Sequence, residues 1–216
     1  MKDSDLRFAK LLVLVNCAVP AALLGWDAWH HQLGANPVNF AILTTGILAL
    51  TFLLLTLAVT PLRKITGLNW IIFSRRTLGL YAFFYASLHF LIFFFQDRQG
   101  SISSTLSEMI KRKYLIVGGI ALLVMVPLAV TSTNAMIKRL GGKRWRALHR
   151  LAYVAAIAGV IHFYWLVKSD VHLPLEYAAV MTVLLGWRVY DHFTKTVRPA
   201  PAARPVEKRA PTVAPE

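Results

Sequence analysis

From Phe40 to Leu62 the chain runs 23 residues without one charged side chain. A helix of that length rises about 34 Å, enough to cross the ~30 Å of hydrocarbon in a bilayer. Five further apolar blocks occupy about 8–29, 77–96, 114–132, 147–167 and 174–194. None shows the two-residue alternation of a half-buried strand. In lipid, backbone amides must be paired within their own segment, so such blocks form helices. The first block is too long, and too poor in a small-residue cleavage site, for a removable signal peptide. The sequence therefore predicts an all-α polytopic membrane protein, a six-helix transmembrane bundle over residues 1–195.

Composition agrees. Hydrophobic residues make up 56% of the 216 and charged ones 16%, against about a quarter charged in a soluble domain, and the mean hydropathy is +0.54. The net charge of +14 suggests nucleic acid only until its placement is read. Lys and Arg number three at the N-terminus, four in 63–76, six in 133–150 and six from Arg188 onward. The alternate segments carry none in 30–39, four in 97–113 and one in 167–173. Nineteen against five puts both termini in the cytoplasm by the positive-inside rule, with Lys111-Arg112-Lys113 the one discordant run. Membrane lipid, not nucleic acid, is the expected partner of this charge. The Pro- and Ala-rich stretch 196–216 lacks a hydrophobic face and is expected to be a disordered cytoplasmic tail near anionic lipid.

The single cysteine, Cys17, lies within the first span. It excludes a disulfide framework, a CxxCH haem attachment and a four-Cys iron–sulfur site, and is expected to pack as a small core residue. Seven histidines remain. His30, His31, His172 and His192 fall in loops or at a span end, where a solvated imidazole needs no partner. His89 and His162 lie well inside apolar segments, thirteen residues past Arg76 and sixteen past Arg146. At ~1.5 Å per residue both lie ~20 Å from the cytoplasmic edge, at matched depth on separate helices. Ionisable groups at such depth are functional candidates by default.

Each tops a stripe of small residues on its own helix face: Ala86, Ala82 and Gly79 below His89, and Gly159, Ala155 and Ala152 below His162. Tight helix–helix packing with a carbonyl-bonded histidine accounts for such stripes. A slot for a flat macrocycle gripped by two axial imidazoles accounts for them equally. His149 stands thirteen residues before His162, which places the two ~140° apart on an ideal helix, unless the helix is distorted or starts after His149. At its depth on the third span stand Arg75 and Arg76, suited to an anion such as a haem propionate or a phosphate, or equally to positive-inside anchoring.

The segments RRTLGLYAFFYASLH (75–89), TSTNAM (131–136) and KRWRALHRLAYVAAIAGVIHFYW (143–165), in that order and in a six-span chain of this length, resemble the MsrQ (YedZ) family. That family is the haem-binding membrane subunit of the bacterial protein-methionine-sulfoxide reductase system and belongs to the ferric-reductase-like transmembrane superfamily. The resemblance covers most of residues 5–195. It implies b-type haem, one or two per chain, held non-covalently, with His89 and His162 on the family's intramembrane histidines and His149 on its third. It implies residence in the bacterial inner membrane, a cytoplasmic flavin reductase or the quinone pool as donor, and a periplasmic molybdopterin subunit that reduces methionine sulfoxide as recipient. FMN is a further cofactor the family is described as using. Oxidase relatives carry paired histidines on both helices three and five; this chain has Arg75 or Arg76 where the inner one on helix three would be.

A bare charge in hydrocarbon is very costly, so a delocalised redox cofactor must relay an electron across the bilayer. The leading reading is accordingly an electron-transfer subunit rather than a catalytic one, with no catalytic residue of its own. His89 and His162 hold an outer haem, and His149, Arg75 and Arg76 mark the cytoplasmic side as ligand or cofactor-contacting groups. Tyr85, Phe163 and Trp165 are candidates to line the pocket. A self-contained ferric or quinone reductase is the alternative within redox chemistry. A proton-coupled transporter using the buried histidines as relays is the alternative from another class, although no broken-helix or inverted-repeat signature supports it.

Overall fold

The computed structural model of the protein describes residues 3–197, and all the regular structure among them is helical. In chain order the helices are α1 (Asp3–Trp29), α2 (Pro37–Thr66), α3 (Ser74–Ile92), α4 (Ile102–Lys111), α5 (Lys113–Val130), α6 (Asn134–Leu140), α7 (Gly142–Leu148), α8 (Leu151–Leu166) and α9 (His172–Val197). A 3₁₀ turn over Asn69–Phe73 precedes α3 and a π turn over Phe93–Asp97 extends it, so one rod runs from Asn69 to Asp97. Its neighbours begin and end where the local chemistry dictates. The Asn36 side chain accepts the Asn39 N–H ahead of Pro37 at the start of α2, and Gly67, at φ 73°, ends that helix in the left-handed conformation.

Five segments are long and apolar enough to cross a membrane: Ser4–Trp29, Pro37–Thr66, Asn69–Asp97, Lys113–Val130 and Gly142–Leu166. The all-helical, multi-span expectation is met. α9, expected as a sixth span, has 26 residues, but Glu176, Arg188 and Asp191 dilute its apolar run, and it does not join the five. Large apolar side chains such as Leu123, Val183 and Phe193 are exposed on the outside of the bundle, a pattern suited to lipid rather than water. The Pro/Ala-rich tail expected over 196–216 lies outside the described residues from position 198 on; α9 itself continues to Val197.

Two helix pairs form the centre. α2 packs along α3, and α5 along α8, and the core between them includes Leu57, Ala82, Tyr85, Ala155 and Ala156, all at most 1% exposed. Cys17 is buried in the same core, as expected. α9 is tied on by polar groups. Arg188 donates from Nε to the Tyr153 hydroxyl, from Nη2 to the Leu57 carbonyl and from Nη1 to the Leu184 carbonyl, and its guanidinium lies over the Tyr153 ring. Thr51 and Tyr177 share a 2.7 Å hydroxyl bond between α2 and α9.

α1 is joined to α3 at its proline turn. Pro20 sits inside α1 and has no N–H to give. One residue on, the Ala21 N–H donates to the Tyr85 hydroxyl at 3.0 Å, and that hydroxyl donates to the Cys17 carbonyl at 2.8 Å. The phenol thus stands between the two groups that an unbroken helix would pair directly. Tyr85 was a candidate pocket residue in the sequence; the structure gives it this bridging position, stacked on Phe52 at 5.3 Å.

Candidate functional site

α3 and α8 bring His89 and His162 together. Their ring centroids are 6.1 Å apart and their planes nearly perpendicular, at 87°. Two residues expected at the same level of separate helices thus stand side by side. Each ring is held from behind by a carbonyl on the neighbouring helix: His89 Nδ1 lies 2.8 Å from the Ile42 oxygen, and His162 Nδ1 lies 2.7 Å from the Tyr114 oxygen. A carbonyl only accepts, so both Nδ1 atoms carry the proton. Both Nε2 atoms are then unprotonated, the form in which imidazole binds a metal.

The two rings line a cavity of about 490 Å³ that also touches Leu50, Ala86, Ala155, Gly159 and Phe163. Its far end reaches Asn36, Asp97, Arg98, Glu108 and Arg112, where the loops after α1 and α3 meet α4. There Arg98 pairs with Asp97 and Glu108, and Glu108 also pairs with Arg112. The small-residue stripes divide between their two roles. Ala86, Ala155 and Gly159 border the cavity, whereas Ala82 and Ala152 are core residues and Gly79 faces the Thr56 side chain. Of the aromatics considered for the lining, Phe163 takes that place and Trp165, 53% exposed, does not.

The rings stand as two nitrogen donors facing one space. The 6.1 Å between the ring centroids is of the size that two imidazoles sharing one metal would require, at about 2 Å per metal–nitrogen bond. Among the described residues there is no cluster of three or more His, Cys, Asp or Glu to encase an ion. Two nitrogens leave most of a coordination sphere for a macrocycle to supply, and the cavity beside them is mostly apolar.

His149 stands apart from that pair. Between the end of α7 at Leu148 and the start of α8 at Leu151 the rod is distorted by 3₁₀-type bonds, Arg150 N–H to the Ala147 carbonyl and Ala152 N–H to the His149 carbonyl, so the ideal-helix angle between His149 and His162 does not apply. Its ring stacks on Trp145 at 4.0 Å; Nδ1 lies 3.1 Å from the Trp145 carbonyl and Nε2 3.5 Å from the Ser132 hydroxyl. Arg75 lies within electrostatic reach of His149, Tyr153 and Arg188. Arg76 is exposed and donates to the Asn134 side chain at 2.8 Å, tying α3 to α6. The other four histidines are exposed, as the sequence suggested.

Sequence reasoning missed Gly46 on α2 and Gly118 on α5. A Cβ on Gly46 would stand 3.0 Å from His89 Nδ1, and one on Gly118 would stand 2.7 Å from His162 Nδ1. The signal available was a glycine inside an apolar helix, unfavourable by about 1 kcal/mol against alanine. Which histidine it faces depends on a helix register the sequence does not state.

Fold and site together define a helical membrane protein built around two facing imidazoles above an apolar cavity. Residues 45–160 match the family described as ferric reductase like transmembrane component. The chain is 47% identical to the "Protein-methionine-sulfoxide reductase heme-binding subunit MsrQ" of Ralstonia nicotianae over 88% of each chain. Proteins of the same name from Herminiimonas arsenicoxydans (43% identical, 86% of each chain) and Xanthomonas euvesicatoria pv. vesicatoria (47%, over 84% of this chain and 86% of the relative) are similar to it. The chain belongs to the ferric reductase like transmembrane family and, within it, to the MsrQ group.

Proposed function

We propose that this chain carries haem b across the bacterial inner membrane as the electron-transfer subunit of a protein-methionine-sulfoxide reductase system. The observation that carries the proposal is the His89–His162 pair, with perpendicular rings 6.1 Å apart, both Nδ1 atoms engaged by carbonyls, and an apolar cavity alongside. The names of the relatives, heme-binding subunits of such a reductase, point the same way. Bound there, haem supplies a redox centre whose charge change is spread over a large ring. The chain's own residues do the rest. His89 and His162 would hold the haem iron between them, and a fully ligated iron would favour electron transfer over oxygen or substrate chemistry. Ile42 and Tyr114 hold the rings in the ligating tautomer, and Leu50, Ala155 and Phe163 keep the site dry.

On this reading residues 1–195 are one haem-binding bundle with both termini cytoplasmic, and α9 is its sixth span. Arg188 is then an intramembrane charge satisfied by three protein oxygens. His149 and Arg75 lie toward the cytoplasmic side, where a second haem or the phosphate of FMN would be received. Electrons enter there from a flavin reductase or the quinone pool. They leave through the outer end of the cavity, near Asn36 and Arg98, to a periplasmic molybdopterin subunit that reduces methionine sulfoxide.

The test is the purified full-length chain. Expected is a Soret band that shifts on dithionite reduction with a sharp α band. In vesicles with an impermeant reductant outside, an impermeant one-electron acceptor inside should be reduced only when the chain is present. A colourless chain, or vesicles no faster than empty ones, refutes the proposal.

A further inference from the structure

The two ligand histidines are seated in the same way, and neither seat is on the histidine's own helix. His89 bonds the carbonyl of Ile42, and the glycine it faces is Gly46, four residues on. His162 bonds the carbonyl of Tyr114, and the glycine it faces is Gly118, again four residues on. In an α-helix the carbonyl of residue i lies directly beneath residue i+4, so any Cβ at i+4 projects over that oxygen. At both positions that Cβ is missing, and the imidazole lies flush against the helix to reach the carbonyl. The distances agree: a Cβ on Gly118 would lie 2.7 Å from His162 Nδ1, 2.8 Å from Cε1 and 3.1 Å from Cγ, and one on Gly46 would lie 3.0 and 3.1 Å from His89 Nδ1 and Cε1.

We propose that Gly46 and Gly118 are paired positioning residues for the metal centre. Each leaves a seat in which an axial imidazole lies flush against the neighbouring helix, gives its Nδ1–H to the carbonyl one turn below, and presents Nε2 toward the cavity. The proposal rests on the bis-histidine reading above and deepens it. A hydrogen bond from Nδ1–H to a carbonyl makes the imidazole a more basic ligand and so favours the oxidised metal. Filling the seat pushes the ring off the carbonyl, weakens that effect and turns the ring. The two seats are unequal, since Gly118 is the tighter.

The test uses the full-length chain in detergent with Gly118→Ala, Gly46→Ala and the control Gly186→Ala. Gly186 lies within α9, is exposed and away from the cavity, and its Cβ would meet nothing within 4 Å. Expected are a raised midpoint potential and an altered low-spin EPR signal in Gly118→Ala, or loss of haem from a folded chain. A smaller shift of the same sign is expected in Gly46→Ala, and none in Gly186→Ala. Unchanged potential and EPR in both Gly118→Ala and Gly46→Ala overturn the proposal, as does an equal change in the control. If Gly118→Ala does not fold, Gly46→Ala decides alone: a shift upholds the seats and no shift removes them. If the unsubstituted chain binds no haem, the bis-histidine reading fails instead. Nitrogen-15 NMR of labelled histidines in the haem-free chain then judges the glycines separately. Nδ1–H tautomers that become mixed in the alanine variants keep the inference, and unchanged tautomers reject it.

Discussion

Tyr85→Phe removes one oxygen and leaves the ring, which still stacks on Phe52 with an interplanar angle of 9°. What is lost is the bridge between the Ala21 N–H and the Cys17 carbonyl. Two hydrogen bonds at about 1 kcal/mol each set a cost of about 2 kcal/mol, rising to about 4 if both backbone groups stay buried and unpaired. Tyr85 is fully buried, so water does not readily replace the hydroxyl, and hydrocarbon offers no substitute. For a chain of this size about 2 kcal/mol lowers the melting temperature by roughly 4–8 °C. Thermal unfolding in detergent, followed by tryptophan emission, measures it. The haem spectrum of the folded variant should be unchanged, because Tyr85 supports α1 and not the cavity. Melting within a degree of the parent would mean that α1 simply closes its own Ala21–Cys17 bond and that the phenol is no structural bridge. A spectral change would mean that Tyr85 does belong to the pocket.

Three further outcomes follow from the same geometry. Arg188→Leu should cost about 1.5–3 kcal/mol in unfolding experiments, and Arg188→Lys should recover only part of it, since an ammonium does not reproduce the guanidinium fork on Tyr153 and Leu57. Ligand planes 87° apart predict a highly anisotropic low-spin ferric EPR signal rather than the rhombic one of parallel imidazoles. His149→Ala should leave that signal intact, because the ring is stacked on Trp145 away from the cavity; haem per chain, by pyridine haemochrome assay, stays the same with one haem and halves with two.

The membrane-spanning character was legible because one quantity, unbroken apolar length, decides it. Leu50, Leu54 and Leu57 need no particular neighbour to make α2 a span. The pairing of His89 with His162 was legible for a related reason: depth follows from counting along a helix, and equal depth restricts the partners. Azimuth does not follow from counting. Ile42, Tyr114, Gly46 and Gly118 were therefore not read as part of the site, and Tyr85, a candidate for the pocket lining, instead turns its hydroxyl to Pro20's turn of α1. The break between Leu148 and Leu151 was left open as a repair to the His149 geometry. No proline or glycine lies between those residues to mark it in the sequence. α9 falls short by composition because Arg188 finds its three oxygens on α2, α8 and α9 itself, partners invisible along its own sequence.

The central claim is that His89 and His162 bind one metal between them. It is tested most directly by the low-spin α band and EPR signal of His89→Ala and His162→Ala, each purified as a folded full-length chain. The account predicts that either substitution alone abolishes the bis-imidazole signature of the outer site, and that added imidazole restores it in part. A full, unaltered low-spin signal in either variant would contradict it.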